Sequence, residues 1–220
     1  MTATTVKAYK GMGMEGGIAR WYDKTTRRDM PTFRELAAQI ASVAGAGGTV
    51  LEVAPGPGFL SIELAKRGLD VQAVDISKTF IEIARKNATE AGVRAVFMQG
   101  NAAELPVIKD SVDFVVCRAA FKNFTEPVKA MREMLRVLKP GGTAMLIDMR
   151  RDVSVDEVRK YVDGLGMSWF NRKFMMATFR GMLIKRAYPL EHIKSMAAEA
   201  GWKDLRIETT PLGFAAWVKK

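Results

Sequence analysis

From Thr49 to Met149 the chain alternates five short runs of β-branched and aliphatic residues with longer amphipathic stretches, and this alternation leaves few folds open. The runs are TVLEVA (49–54), DVQAVD (70–75), RAVFMQ (94–99), VDFVVC (112–117) and TAMLIDM (143–149). Strands joined through helices pair in parallel, and near-continuous apolar strands need cover on both sides, so the pattern predicts a doubly wound parallel sheet with helices on both faces. The helices carry their own punctuation. FLSIELAKRG closes at Gly68; KTFIEIARKNATEAG follows an N-cap at Ser77 and closes at Gly92; EPVKAMREMLRVLKPGG follows Thr125 and is expected to stop at Pro140. PTFRELAAQIASVAG, with Pro31 in its first turn, predicts a helix ahead of the first strand. Past Asp148 a helix around Val155 to Val162 leads into a Met- and aromatic-rich stretch read as mostly helical, then a helix, LEHIKSMAAEAGW. KDLRIETTP and GFAAWVKK follow as an antiparallel hairpin at a sheet edge, with a tight turn at Leu212 and Gly213.

Composition excludes several classes. At 220 residues and 48% hydrophobic content the chain supports one well-buried core, so a single domain over 1–220 is expected. No apolar run approaches the ~20 residues of a bilayer crossing. Lys7 and Lys10 are not followed by an apolar stretch and cleavage site, which predicts a cytoplasmic protein. Cys117 and His192 are the only residues of their kinds, so an internal disulfide is excluded and no metal is expected.

The first run ends in VLEVAPGPGFL (50–60), a loop between strand and helix where a doubly wound sheet opens its ligand crevice. A phosphate-cradling P-loop needs a closing Lys-Ser/Thr pair, and Phe59, Leu60 and Ser61 stand there instead. A dinucleotide fingerprint matches only in part, because Ser61 replaces the third glycine. Glu52 is the sharper signal. A carboxylate beside the loop repels a pyrophosphate and favours an ammonium or sulfonium, and S-adenosylmethionine (SAM) carries both. Asp75 closes the second strand, near the spacing at which an acid meets ribose hydroxyls, and Asn101 in GNAAELP offers an amide to an adenine edge.

Taken together, VLEVAPGPG, VDIS, GNAAELP, DFVVCRAAF and RVLKPGG resemble, in order and spacing, the motifs of class I SAM-dependent methyltransferases, most of all the ubiquinone and menaquinone C-methyltransferase branch. The resemblance covers roughly Thr49 to Met149 and implies a Rossmann-like, seven-stranded, mostly parallel sheet with an antiparallel C-terminal hairpin. It further implies that Glu52, Ala54, Gly56 and Gly58 line the methionine part of SAM, that Asp75 and Ile76 hold the ribose, and that Asn101 and Ala102 flank the adenine. Cys117 and Arg118 would begin the loop under the sulfonium. The chain departs from the family in having Ala54 for a glycine, Pro55 and Pro57 for small or polar residues, and Asn101 for an aspartate. In related enzymes a segment ending in a Tyr-Asp pair folds over the cofactor, which makes Trp21 and Tyr22 candidate caps, against a plain docked helix. The implied layout is an N-terminal arm and helix (1–48), a SAM-binding core (49–149), a helical lid (150–190) and a C-terminal helix and hairpin (191–220).

Methyl transfer by direct displacement needs alignment above all, and a catalytic base can be absent. Candidates on the acceptor side are Tyr22, Arg118, Lys122, Asn123 and His192; packing or solvent exposure is the competing reading for each. The net charge of +10 is uneven. Residues 35–163 hold 17 basic and 17 acidic residues, whereas 1–34 hold seven against three and 164–190 hold five against none. In the second basic segment Arg172, Lys173, Arg180, Lys185 and Arg186 are interleaved with Trp169, Phe170, Phe174, Met175, Met176, Phe179 and Met182, which suits a small amphipathic acceptor with an anionic part. A lid helix with a solvated basic face, a membrane-surface contact, an RNA methyltransferase and a non-catalytic SAM-binding protein remain as alternatives.

Overall fold

The computed structural model describes residues 9–10, 13–164, 169–178 and 184–220. The five expected strands form as β1 (Thr49–Val53), β2 (Asp70–Asp75), β3 (Val96–Gln99), β4 (Val112–Arg118) and β5 (Leu138–Met149), and the hairpin as β6 (Arg206–Thr209) and β7 (Gly213–Lys219). They make one seven-stranded sheet in the order β3-β2-β1-β4-β5-β7-β6. β1 pairs in parallel with β2 on one side (Val53 opposite Val74) and β4 on the other (Val53 opposite Cys117), so the order reverses between β1 and β4. That reversal opens the crevice at the carboxyl ends of these strands. β7 enters antiparallel between β5 and β6, leaving β6 at the edge.

The helices are α1 (Gly16–Thr26), α2 (Met30–Ala44), α3 (Phe59–Ala65), α4 (Lys78–Glu90), α5 (Pro127–Val137), α6 (Val155–Gly164), α7 (Trp169–Thr178), the short α8 (Ile184–Arg186) and α9 (Leu190–Glu199). Side-chain alternation along each strand sorts the core into two faces. On β4, Val115 and Cys117 join Met131, Met134, Leu146 and Ile193 under α5 and α9. Phe114 and Val116 point the other way, to Ile40, Leu60 and Trp217 under α2 and α3. Ser77 caps α4 as expected, its Oγ accepting from Phe80 N at 3.0 Å.

Three boundaries differ from the sequence reading. β3 begins at Val96 rather than Arg94. The helix in RVLKPGG ends at Val137, not Pro140, because Leu138 already pairs with Val112 and the following residues bulge out of the β4–β5 ladder. Gly141 takes φ +82° in that bulge, and its N–H donates to Lys220 O at 2.7 Å. The hairpin turns on Pro211 and Leu212, with Thr210 N donating to Gly213 O at 2.9 Å. Gly213 is already in the strand, where a Cβ would stand 2.6 Å from Asp148 O.

Candidate functional site

The loop after β1 is built by backbone conformations that favour glycine. Gly56 and Gly58 have φ +55° and +82°, and Ala54 adopts the same left-handed region at +59°. Ala119, at the end of β4, does so too at +59°. Strained alanines thus close the strands on both sides of the switch point, and strain of this kind costs about 1–3 kcal/mol per residue. Gly58 serves packing as well as φ, since a Cβ there would lie 2.9 Å from Ala84 Cβ on α4 and 3.1 Å from the Phe97 ring. Gly58→Ala is therefore expected to destabilise the fold by about 2–4 kcal/mol, lowering Tm by roughly 5–15 °C in a thermal scan. Around Gly56 the space is open, and a Cβ there would come no nearer than 3.9 Å to Tyr22 or Phe80, so its φ is its only requirement.

Two carboxylates lie beside this loop. Glu52 is 3% exposed and accepts from Ser61 Oγ. Asp75 is 6% exposed; its Oδ2 accepts from Gly56 N at 3.0 Å and its Oδ1 from Ser77 N at 2.9 Å. Neither has a basic ion-pair partner among the described residues. Burial pushes Glu52 up to about 7, opposed by the Ser61 hydrogen bond and the Arg118 charge and reinforced by the Asp75 charge. Burial likewise raises Asp75 against the hydrogen bonds from Ser77 and Gly56. Two buried, unpaired acids at a switch point are costly unless a cation arrives to meet them.

The Glu52 shift fixes the sign of a pH effect. Its folded pKa of about 7 exceeds the ordinary 4.5, so the unfolded chain releases the proton first and stability falls as pH rises between those values. The loss amounts to about 3 kcal/mol at most. Glu52→Gln should remove this slope. In urea unfolding of the ligand-free protein the variant is expected to gain on the wild type between pH 5 and pH 8, and an equal difference at both pH values would contradict the assignment.

The remaining cofactor-side candidates surround these acids unevenly. Ile76 is 40% exposed, and its carbonyl accepts from Gln99 Nε2 at 3.2 Å. Asn101 Oδ1 accepts from Ala103 N at 3.0 Å, fixing the short loop and leaving the Nδ2 donor free of that bond; Ala102 is half-buried. Tyr22 turns inward against Phe80, with ring centroids 5.8 Å apart. Trp21, its neighbour in sequence, is 64% exposed, as adjacent helical positions face different ways. Cys117 is fully buried in the α5–α9 core, where burial pushes the thiol well up, and it stands next to Arg118 at the end of β4. Arg118 lies 4.6 Å over the Phe33 ring.

On the acceptor side, Lys122 is not a free polar group. It is 7% exposed, and its Nζ donates to Asp148 Oδ1 at 2.8 Å and to Ala119 O at 2.6 Å. The pair holds the loop after β4 onto the end of β5. Asn123 contributes its carbonyl to Lys10 N at 2.7 Å, and His192 is exposed on α9. The basic segment around α7 is partly neutralised, with Arg172 pairing with Asp163 at 3.1 Å and Lys173 stacking 4.2 Å over Trp169. Met175 and Met176 pack with Val158, Val162 and Leu212. Phe179, Arg180 and Met182, and the side chains of Phe170 and Phe174, lie outside the described residues.

Sequence reasoning passed over the strap ahead of α1. Glu15 accepts from Lys78 N at 3.1 Å and Thr79 N at 3.0 Å, capping α4 from a distant part of the chain, and Ser77 Oγ donates to Met14 O at 2.7 Å. These bonds latch the strap over the residues that follow Asp75. Tyr9 bridges to Phe124, and Lys10 Nζ donates to the Tyr188 hydroxyl. The only signal in the sequence was the basic and aromatic composition of the arm, because each partner is more than 60 positions away.

Comparison with known proteins agrees with this geometry. Residues 51–146 match the family model described as a methyltransferase domain. The uncharacterized methyltransferase YcgJ of Bacillus subtilis is 28% identical over 174 residues, covering 78% of this chain and 64% of that protein. A demethylmenaquinone methyltransferase of Clavibacter sepedonicus is 37% identical over 103 residues, covering 47% of this chain and 42% of that protein. The chain thus spans less than two thirds of the length of either relative. A crystal structure from Methanococcus maripaludis, provisionally described as an S-adenosyl-L-methionine-dependent methyltransferase, superposes with a TM-score of 0.72 at 25% identity, covering 96% of this chain and 95% of that one.

Proposed function

We propose that this chain, which carries a class I SAM-dependent methyltransferase domain, transfers the methyl group of SAM to a small amphipathic acceptor bearing an anionic group. One observation carries the cofactor half of the reading: Glu52 and Asp75 are buried beside a loop opened by Gly56, without ion-pair partners among the described residues. A ligand carrying an ammonium and a sulfonium relieves that arrangement, whereas a pyrophosphate makes it worse. SAM, when bound, supplies an electrophilic methyl group open to direct displacement.

The residues divide the work. Each Asp75 oxygen has spent one lone pair on a backbone N–H, leaving acceptors for the two ribose hydroxyls. Ala54, Gly56 and Gly58 hold the backbone in a curve that keeps side chains out of the path of the methionine moiety. Asn101, its Oδ1 occupied by Ala103 N, would offer its Nδ2 donor to a ring nitrogen of the adenine. Tyr22 closes the crevice from α1. Orientation is the main contribution of such a site and corresponds to effective molarities on the order of 10⁵–10⁸ M, so no general base is assigned.

For the acceptor, support comes from relatives named as demethylmenaquinone methyltransferases and from the excess positive charge of the arm and lid. Arg172 and Lys173 are engaged within the lid, which leaves a poorer surface for a phosphate backbone than the sequence suggested. The reading is tested by incubating the protein with methyl-labelled SAM and a cell extract, then separating metabolites, lipids and RNA. Label is expected among metabolites or lipids; label confined to RNA would overturn the acceptor class.

A further inference from the structure

The strap and the segment ahead of α9 meet beside the loop that follows β4. Lys10 N donates to Asn123 O at 2.7 Å and Tyr9 bridges to Phe124, so residues 9–10 run along the loop that follows β4. Lys10 Nζ reaches the Tyr188 hydroxyl and lies 4.8 Å from the centre of that ring. Tyr188 is held from several directions. Its ring stands against Phe121 at 5.9 Å, its backbone bridges to Arg150, and its carbonyl accepts from Arg151 N at 3.0 Å. Two residues earlier, Arg186 is exposed on α8.

Tyr9 ties these groups to the loop after β4 through its bridge to Phe124. Burial raises its phenol, the Arg186 charge opposes that, and the charges of Asp75, Tyr22 and Asp148 add to it. Neither Lys10 nor Arg186 has a carboxylate partner among the described residues, in contrast to Lys122, Arg150 and Arg172, whose charges are met within the fold. An ammonium can only donate, so the Tyr188 oxygen accepts from Lys10 and its own proton is directed elsewhere. Lys10 and the Tyr188 hydroxyl donor stand together beside the acceptor-side loop, with Arg186 two residues away in the chain, and cations with a hydroxyl donor suit a planar anion.

We propose that Lys10, Arg186 and the Tyr188 hydroxyl bind a carboxylate of the methyl acceptor and so turn its nucleophilic atom toward the cofactor side of the crevice. This assignment rests on the methyltransferase reading. Lys10 and Tyr188 are substrate-positioning residues, and their effect is on which acceptor binds, not on SAM.

The test uses the full chain saturated with S-adenosylhomocysteine, and compares 4-hydroxybenzoate with its neutral counterpart 4-hydroxybenzamide by NMR titration. The carboxylate is expected to bind about tenfold more tightly than the amide, a margin typical of one or two charge-assisted hydrogen bonds. Lys10→Met and Arg186→Met should each bring that preference to within about twofold, and Tyr188→Phe should lower it several-fold while keeping the packing on Phe121. Lys10 and Arg186 are exposed, so unchanged melting temperatures are expected for their variants. Equal binding of the two probes by the wild type, undiminished preference in the cation variants, or no binding of either probe at about 10 mM would each overturn the assignment. Tighter binding of inorganic phosphate than of the carboxylate would overturn it as well. A parallel SAM titration separates the two levels: absent SAM binding defeats the methyltransferase reading, whereas intact SAM binding without probe discrimination defeats the carboxylate site alone.

Discussion

Replacing Asp148 by alanine is expected to destabilise the folded protein by about 3–5 kcal/mol, because it leaves the Lys122 ammonium buried without its counter-charge. At 220 residues that corresponds to a fall in Tm of roughly 6–20 °C. The pair is more than a Coulombic contact. Asp148 also accepts from Lys122 N at 2.9 Å and Met149 N at 2.7 Å, so one carboxylate organises the loop after β4 and the end of β5 together. The reciprocal change, Lys122→Met, should cost less, since Asp148 keeps both backbone donors and the methionine fills the vacated stem volume. Urea unfolding of both variants checks the ordering. Equal stability of Asp148→Ala and wild type would show that the buried lysine finds water or neutralises at little cost.

The second large effect is on ligand affinity. Asp75→Ala is expected to weaken SAM binding by about 100-fold or more, since hydrogen bonds to a charged group contribute about 1.5–3 kcal/mol each and the variant loses the acceptors proposed for both ribose hydroxyls. It also frees Gly56 N, whose bond to Asp75 holds the loop in its curve. Asp75→Asn retains one acceptor oxygen and should fall between the two. Calorimetric titration reads this directly, and affinity for Asp75→Ala within about threefold of wild type would remove Asp75 from the cofactor site.

Much of this architecture was legible because its determinants are local. The alternation of apolar runs and amphipathic stretches is a short-range pattern, and it located all five core strands and the C-terminal pair to within a few residues. Gly56 and Gly58 announced a special backbone, and both adopt positive φ. What escaped was non-local. Lys122 reads as one more polar residue in AAFKNF, and nothing near it points to Asp148, 26 positions on. Glu15, Lys10 and Tyr188 act only through partners brought close by the finished sheet. The strand entry at Leu138 was hidden because LKPGG lacks a strand-like composition and is placed by pairing with Val112 and by the bond from Gly141 to Lys220. The lid illustrates another limit: Trp169 to Met176 mixes apolar and basic residues without a clean period, and the neutralising acid, Asp163, belongs to the preceding helix.

Glu52 in β1 and Asp75 at the end of β2, buried without ion-pair partners among the described residues, are proposed to await a cationic nucleoside. Titration of the purified protein with SAM by isothermal calorimetry, at pH 6 and at pH 8, tests this claim most directly. A single saturating site is expected, with affinity weaker at pH 6 because the ligand must draw a proton off Glu52, whose pKa in the ligand-free protein is about 7. No heat and no thermal stabilisation at millimolar SAM would contradict the claim.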